Sequence, residues 1–329
     1  QKKKNQTYLS IQIDGNTNKK KEIVFKKISL KEEENNIHIQ NLVLTNNRIV
    51  KKFEKMAFSY FDKENIKNKF SILMKKKNYF LNGKTFNANK LIKNLLSSKN
   101  KDQNIFDEDF KMNISIEKTY LDKENLVKNL KGYLVYKDNT LQEANLLSSF
   151  LNNENIQLTI KTTDGEKITT LYSAQAKPLV NRYKFIKGFD EGSLDFSSIK
   201  KNKITNSTLR IYNFKLKEVP ALTKILTLAS LQGIADLLSG EGIRFNEFEM
   251  KFSNNESLMT IDEIYAIGPA ISILMSGYVK EDELISLRGT LVPATTLNKT
   301  IGSIPILGDI LVGKKTGEGV FGVSFKIKG

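Results

Sequence analysis

The sequence predicts a mainly β protein, with an elongated, twisted antiparallel sheet that forms an apolar groove and a few helices that include one long C-terminal amphipathic helix. Three observations lead to this prediction. Apolar and polar residues alternate along many short segments, which is the pattern of strands with one buried face. Segments with helical periodicity are few. The apolar fraction, 40% of 329 residues, is large enough for an ordered core.

The alternation is clearest in segments that are spread along the chain. The apolar positions of four such segments are Leu9, Ile11 and Ile13; Ile156, Leu158 and Ile160; Ile271, Ile273 and Met275; and Phe321, Val323, Phe325 and Ile327. Two further strands slip in phase, one after Ile39 and one after Phe245, and such a slip predicts a β-bulge. So many half-apolar strands with so few helices need a second sheet, closure into a barrel, or an apolar trough that a ligand fills.

The strongest helical signal extends from Pro220 to Ser239. Pro220 suits a first helical turn, and the glycines at 240 and 242 would end the helix. The apolar face of this helix contains Leu222, Ile225, Leu226 and Leu237. Two interpretations stay open: the face packs on the sheet and caps the open end of the groove, or it contacts a membrane or a partner and gates lipid exit. Weaker helices are predicted over residues 86–98, 176–186 and 294–301.

Charge and glycine content divide the chain near Asn206. Residues 208–329 hold 13 basic and 13 acidic residues, so the whole net charge of +16 lies in the first 207 residues. The predicted domains are therefore a β-groove segment over residues 1–206 and a C-terminal region over residues 207–329. Only five of the 52 basic residues are Arg, the residue whose planar fork grips phosphates and bases. The charge is therefore interpreted as solvated surface rather than as a nucleic-acid site, and attraction of anionic headgroups or envelope polymers stays open as an alternative.

The residue inventory argues against most kinds of catalysis. The absence of Cys excludes disulfides, Cys-ligated zinc, iron–sulfur clusters and thiol catalysis. His38 is the only histidine, so a multi-histidine metal site is impossible and a histidine-based triad could form only there. The segment from Gly313 to Gly319 lacks P-loop spacing and is interpreted as a hairpin turn. We therefore predict a protein that is not an enzyme and has no catalytic residue, metal or cofactor.

The last third of the chain carries an ordered series of short motifs. They are VPAL (219–222), LASLQG (228–233), LLSGEGI (237–243), GPA (268–270), GTLVP (289–293), IPILG (304–308), LVG (311–313) and GEGVF (317–321). In this order they resemble the C-terminal region of the AsmA-like proteins, particularly those of the YhdP type. The resemblance implies conformational roles for the shared glycines and prolines. Gly240 and Gly242 are accordingly assigned to the helix exit, and Pro293, Pro305 and Gly308 to turns.

The resemblance also implies a bridge-like lipid carrier. Members of this family are anchored in the inner membrane, extend across the periplasm and hold phospholipid in an apolar β-sheet groove. Because the first residue is Gln1, the chain is expected to be a piece of a longer periplasmic protein whose inner-membrane anchor is missing from it. The expected function is non-enzymatic phospholipid transport or holding across the periplasm, in support of outer-membrane lipid homeostasis. The expected partners are phospholipid acyl chains, the inner and outer membranes and envelope proteins, but no nucleic acid.

The candidate lipid-contact residues come from two of the alternating segments. They are Ile156, Leu158 and Ile160, together with Ile271, Ile273 and Met275, which we expect to face a shared concave surface. An acyl chain on such a surface gains about 0.8 kcal/mol for each buried methylene. Two alternatives stay open. One is a structural or assembly factor for outer-membrane biogenesis that presents sheet edges to clients, and the other is a basic nucleic-acid binder.

Overall fold

A computed structural model describes residues 8–328 except 19–20, 97–108, 139, 182–187, 218, 229–230, 256, 281–283 and 294–322. The chain divides into two compact units, unit 1 over residues 1–162 and unit 2 over residues 163–329. The described part of each unit consists mainly of strands, and its helices are few and short. The prediction of a mainly β, largely antiparallel protein with few helices is therefore confirmed.

Unit 1 contains eleven strands and one helix among its described residues. The strands are β1 (Ser10–Thr17), β2 (Ile23–Glu32), β3 (Asn35–Leu44), β4 (Val50–Lys52), β5 (Lys55–Phe61), β6 (Lys67–Lys75), β7 (Asn78–Asn87), β8 (Phe110–Tyr120), β9 (Leu126–Lys137), β10 (Thr140–Ser149) and β11 (Asn155–Thr163). The pairing is antiparallel, with β3 paired to both β4 and β5, except that β7 and β8 are parallel. Helix α1 (Asn89–Leu96) lies in the connection between β7 and β8, because a parallel pair needs a crossover.

The register aligns one residue from nearly every strand of unit 1. The row consists of Ile13, Ile28, Ile39, Met56, Ile72, Leu81, Ile114, Gly132, Leu146 and Leu158, and it passes through every strand except β4. Paired residues on adjacent strands share a face of the sheet, so this apolar row of unit 1 gives the sheet an apolar face. A second row runs beside it from Ile11 to Leu130 and contains the stacked rings of Phe58 and Phe70, with centroids 4.9 Å apart.

Unit 2 has the same kind of sheet but more helices. Its strands are β12 (Glu166–Ser173), β13 (Phe189–Lys201), β14 (Ile204–Leu216), β15 (Ile243–Asn255), β16 (Leu258–Ile267), β17 (Ile271–Lys280), β18 (Leu284–Pro293) and β19 (Val323–Lys328), paired antiparallel in that order. The apolar row of unit 2 consists of Leu171, Phe196, Leu209, Met250, Ile264, Met275, Gly289 and Phe325. The helices are α2 (Lys177–Val180), α3 (Pro220–Leu228) and α4 (Gln232–Ser239).

The main core of unit 2 is formed by the helices and one part of the apolar face. Leu226 of α3 and Ala235 of α4 are almost completely buried and belong to the same cluster as Phe214 and Phe245. The rings of Phe214 and Phe245 stack with centroids 5.3 Å apart. The cluster therefore joins helices and sheet into one packed layer, the arrangement by which an apolar sheet face is covered.

The prediction of one long helix from Pro220 to Ser239 is wrong. The structure has two helices, α3 and α4, and Leu231 between them has φ −101° and ψ 46°, outside the helical region. The physical reason is packing. In one straight helix Leu226 and Ala235 would lie about 13 Å apart along the axis, whereas the break allows both side chains to enter a single core.

Further predictions concern the domain boundary, a β-bulge and the three weaker helices. The compositional boundary at Asn206 lies inside β14, where Asn206 pairs with Ile199 and Ser253, so it differs from the division between the compact units. The β-bulge predicted after Ile39 is absent from the pairing of β2 with β3, which keeps one register there, and Asn41 instead has a φ of 50°. Within the described residues, the helices predicted over residues 86–98 and 176–186 correspond to the shorter α1 and α2. The helix predicted over residues 294–301 lies outside the described residues.

Candidate functional site

The apolar row of unit 1 is neither enclosed in a core nor freely exposed. Seven of its side chains are half-buried: Ile28, Ile39, Met56, Ile72, Leu81, Leu146 and Leu158. The described strands of unit 1 all pair into one ladder, so none of them forms a second sheet over this face. The partial burial comes instead from neighbouring side chains of the same sheet. Such a surface still has apolar area to bury against a ligand.

One part of the apolar face of unit 1 is covered by α1. Ile92 of this helix packs against a small cluster of Leu121, Val127 and Phe150, and Ile156 of β11 packs against the same cluster. A second small cluster, around Leu42, Phe53 and Tyr79, adjoins the apolar row on the strands β2 to β8. Four members of the row pack against this second cluster, namely Ile28, Ile39, Met56 and Ile72, and all four remain half-buried.

The structure places the three predicted lipid-contact residues of β11 as the alternation requires. Ile156, Leu158 and Ile160 are half-buried and Gln157 and Lys161 are exposed, but Thr159 on the opposite face is half-buried as well. Leu158 belongs to the apolar row of unit 1. The central members of this row were missed by sequence reasoning: Met56, Ile72, Leu81 and Leu146. Short alternations such as Phe70, Ile72 and Met74 are a signal that could have identified them, but the lysines around each strand obscure it.

Each apolar row contains a single glycine where neighbouring atoms leave no room for a side chain. At Gly132, with φ 146°, a Cβ atom would lie 1.8 Å from the backbone oxygen of Asn145 on the adjacent strand. At Gly289 a Cβ atom would lie 2.6 Å from Cγ of Met275 and 2.7 Å from Cζ of Phe325. The space that a Cβ atom would need is therefore occupied by the adjacent backbone at Gly132 and by the flanking side chains at Gly289.

The three predicted residues of β17 belong to unit 2 and differ in burial. Ile271 is completely buried in the helix-covered core. Ile273 is partly buried against that core, and Met275 in the apolar row of unit 2 is half-buried. Only Ile273 and Met275 therefore keep surface that a ligand could contact.

The predicted helix residues lie on α3 and α4. Leu222 and Leu226 are buried in the core of unit 2 and Ile225 packs against it, as the packing interpretation of this face predicts. Leu237 is in α4, but its side chain is outside the described part of the chain. These contacts favour a structural role for α3 rather than an exposed docking face.

The glycines and prolines assigned from the family resemblance have mixed outcomes. Gly240 is the C-cap residue of α4 and donates its N–H to the carbonyl of Asp236, and Gly242 follows with φ 92°, so both stand at the helix exit. Pro293 is the last residue of β18, paired with Ile271, rather than part of a turn. Pro305 and Gly308 lie outside the described residues.

The opposite face of the unit 2 sheet carries a charged network centred on Glu249. This carboxylate is only 4% exposed and accepts hydrogen bonds from the Arg210 guanidinium and, at 2.9 Å, from Nζ of Lys251. Burial raises the pKa of Glu249, but the bonds from Lys251 and Arg210 outweigh it and leave the pKa below its usual value. Beside it, burial and the hydrogen bond to Glu247 raise the pKa of Tyr265 to about 12. The network is a paired structural ladder rather than a poised acid or base.

A polar network in unit 1 joins the β5–β6 turn to the start of α1. Asp62 accepts hydrogen bonds from the side chains of Asn68 and Asn87, at 3.0 and 2.6 Å, and Glu64 accepts one from Asn89 at 2.7 Å. Asn68 and Asn89 are buried, so these bonds satisfy amides that water does not reach. Burial raises the pKa of Asp62, but its hydrogen bonds from Asn87, Ile66 and Asn68 outweigh burial and lower it.

The described residues contain no group of three or more His, Asp or Glu side chains that could hold a metal ion. In the same part of the chain, no helix is long and apolar enough to cross a membrane. Comparison of the chain with protein-family models, curated proteins and solved structures finds no match.

Proposed function

We propose that the chain is a non-enzymatic carrier that holds phospholipid acyl chains against the apolar face of unit 1. The observation that carries this proposal is the apolar row of unit 1, ten register-paired positions that include no polar side chain. A core residue needs no such continuity across a whole sheet. A ligand that moves across the strands does need it, because each polar interruption would be a barrier.

The energetics support this use of the surface. An acyl chain that lies on the row gains about 0.8 kcal/mol for each methylene removed from water. Because the row continues from strand to strand, the acyl chain can slide along it while its methylenes stay buried, and no deep pocket holds the acyl chain in one place. In this proposal the curvature of the sheet forms the groove, with β-bulges such as the one beside Gly15 bending the strands.

The biological setting of the proposal comes from the family resemblance. AsmA-like proteins are regarded as bridges for phospholipid between the inner and outer membranes, and the motifs of residues 219–321 support a similar place for this chain in the periplasm. The partners would be phospholipid, the two membranes and envelope proteins. The role of the helix-covered core of unit 2 would be to close one part of its apolar face to lipid.

Site-specific photo-crosslinking tests the proposal on adjacent residues of one strand. A photoreactive amino acid at Leu158, in the apolar row, is expected to capture phospholipid, and the same group at Gln157, on the opposite face, is not. Leu146 and the exposed Asn145, which lies outside the depression described below, provide a second matched pair on β10. Equal capture of lipid at both members of each pair would overturn the proposal.

A pair of substitutions tests transport itself. Leu158→Asp places a charge in the row and is expected to reduce lipid transfer between donor and acceptor vesicles by about tenfold or more, since burying an unpaired carboxylate against an acyl chain costs several kcal/mol. Gln157→Asp adds the same charge on the exposed face and should leave transfer unchanged. Circular dichroism of both variants checks that the strands are retained.

One observation favours a second candidate function, the presentation of a sheet edge to client proteins. All residues of β1 are exposed, and Ile11 and Ile13 on it are 56% and 59% exposed. An exposed strand with apolar side chains can pair with an extended segment of another chain. Native mass spectrometry of gently extracted full-length protein separates the two functions, because co-purified phospholipid supports lipid carriage and a co-purified polypeptide without lipid supports edge presentation.

A further inference from the structure

The polar face of unit 1 contains a depression that lipid carriage does not use. Its floor is a row of register-paired residues with short or flat side chains, namely His38, Ala57, Ser71, Asn82 and Ser115, on the strands β3 and β5 to β8. The rim is taller and basic: Lys55 stands on one side of this row, and Lys69 and Lys84 stand on the other. The depression exists because short side chains lie between long ones.

The lining of the depression is rich in hydrogen-bond donors. Lysine ammonium groups, serine hydroxyls and asparagine amides all donate, and Glu117 is the only carboxylate among the lining residues. Lys55, Lys69 and Lys84 make no ion pair with any residue that the structure describes. Lysines elsewhere in the described chain do find carboxylates, as Lys51 does with Glu22 at 2.6 Å.

Two lysines of the rim lie near each other in the register. Lys69 of β6 pairs with Thr85 of β7, which follows Lys84, at the register shift between Lys69 and Phe70. An oxyanion that reaches both ammonium groups would accept a charge-assisted hydrogen bond from each.

We propose that this depression binds a phosphate-bearing anion, whose oxygen atoms accept hydrogen bonds from Lys55, Lys69 and the serine and asparagine donors of the floor. The site is separate from the proposed acyl-chain surface. Phe58 and Phe70 also line the depression, but the register places their side chains on the apolar face, opposite those of Ala57 and Ser71. A phospholipid whose acyl chain lies on that face therefore cannot place its own phosphate in the depression. The ligand is therefore a second one, either a soluble phosphate compound or a headgroup phosphate on a membrane that the polar face approaches.

The single histidine of the chain makes the test direct. His38 lies in the floor, with its Nε2 atom 3.1 Å from Nε2 of Gln40, so its ring resonances in an NMR spectrum report on this depression alone. Inorganic pyrophosphate, titrated into the full chain, is expected to shift the His38 signals saturably at about millimolar concentration or below. An unresponsive His38 would overturn the proposal, whether or not pyrophosphate binds elsewhere.

Matched substitutions identify the lysines that bind the anion. The double variant Lys55→Gln/Lys69→Gln is expected to weaken pyrophosphate binding by about tenfold or more. Each exposed ion pair strengthens the affinity by up to about fivefold, and a multivalent anion can pair with both lysines at once. Lys137→Gln with Lys161→Gln removes the same charge from exposed positions of unit 1 outside the depression and should change affinity less than about twofold. Equal losses in the two double variants would show diffuse attraction to net charge and overturn the site.

Vesicles distinguish the two sources of phosphate. If headgroups are the ligand, phosphatidylcholine vesicles that contain phosphatidylglycerol should shift His38 and bind the wild type more tightly than the Lys55→Gln/Lys69→Gln variant, whereas pure phosphatidylcholine vesicles should not. If only pyrophosphate acts on His38, the ligand is a soluble phosphate compound. Leu158→Asp should leave pyrophosphate binding intact even where it abolishes lipid transfer, so failure of the carrier proposal and failure of this one can be told apart.

Discussion

The two units share one design, a sheet with an apolar face, but they cover that face to different extents. Unit 2 places α2, α3 and α4 over part of it and forms a single cluster of fourteen buried apolar residues within the described chain. Unit 1 has only α1 for this purpose, and its two clusters contain three buried residues each. The larger buried cluster favours the stability of unit 2, whereas the less covered face of unit 1 is the surface that we propose for a ligand.

The polar faces differ in the same sense. In unit 2 the cations Arg210 and Lys251 are matched to Glu249, so the charges neutralise one another. In unit 1 the lysines of the depression have no described carboxylate partner, and the first 207 residues, which comprise unit 1 and the start of unit 2, carry the whole net charge of the chain. A paired network favours stability, whereas an unpaired basic surface favours binding of an anion.

The largest expected effect tests whether the helix-covered core holds unit 2 together. Leu226→Ala removes a fully buried side chain and should lower the free energy of unfolding of unit 2 by about 2–5 kcal/mol. Urea unfolding combined with hydrogen-exchange mass spectrometry of unit 2 peptides measures it. Lys224→Ala, on the exposed side of α3, is the control and should change little. An unchanged unfolding free energy for Leu226→Ala, with a loss of lipid delivery, would instead support the gating interpretation of this helix.

The second-largest expected effect concerns the charged network of unit 2 and tests whether this network stabilises the unit. Glu249→Gln should destabilise unit 2 by about 1–3 kcal/mol, reduced by the solvent exposure of Arg210 and Lys251, because it leaves their charges without a carboxylate. The folded-state pKa of Glu249 is below its usual value, so its contribution is present above the unfolded pKa and is lost as pH falls through the lower, folded one. Acid titration of unit 2 stability from about pH 5 downward should therefore be shallower in Glu249→Gln than in the wild type. Glu263→Gln, a more exposed partner of Lys251, should have the smaller effect.

A similar carboxylate allows the same test in unit 1. Asp62→Asn should cost about 1–2 kcal/mol, since it disrupts the bonds that tie the β5–β6 turn to Asn87 and Asn68. The pKa of Asp62 is also lowered by folding, so acid should weaken this junction as pH falls below about 4, and the substitution should remove that dependence. Asp122→Asn is a matched control, because Asp122 bonds only within its own β8–β9 turn. Faster hydrogen exchange in α1 for the Asp122 variant but not for the Asp62 variant would contradict the assignment.

The smallest expected effect is a stabilisation rather than a destabilisation of unit 2. Gly233 lies in the first turn of α4, and a Cβ atom there would meet no atom within 4 Å, so Gly233→Ala should stabilise unit 2 by about 0.5 kcal/mol through lower unfolded-state entropy. Gly289→Ala is the contrasting variant and should destabilise it, because Met275 and Phe325 occupy the space. Thermal unfolding of the two variants distinguishes a crowded glycine from a free one. Stabilisation by both would show that the apolar row of unit 2 is loosely packed.

Local chemistry by itself determined the strands of this protein and the faces of those strands. Alternation such as that of Ile156, Leu158 and Ile160 depends only on the two-residue repeat of an extended chain, so it predicts which side chains lie together before any partner strand is known. The mainly β class and the exit of α4 at Gly240 follow from equally local signals. These are the parts of the fold and of the candidate surface that sequence reasoning predicted.

Tertiary structure decided what depends on contacts between distant residues. The helical periodicity continues from Pro220 to Ser239, and only the shared core of Leu226 and Ala235 breaks it into two helices. Register brings Arg210 to Glu249, 39 positions away, and it places Lys55 and Lys69 around one depression. Sequence cannot supply such pairs, because the register of each strand is set by the combined packing of every strand beside it. The continuity of the apolar row of unit 1 is for the same reason a property of the folded sheet.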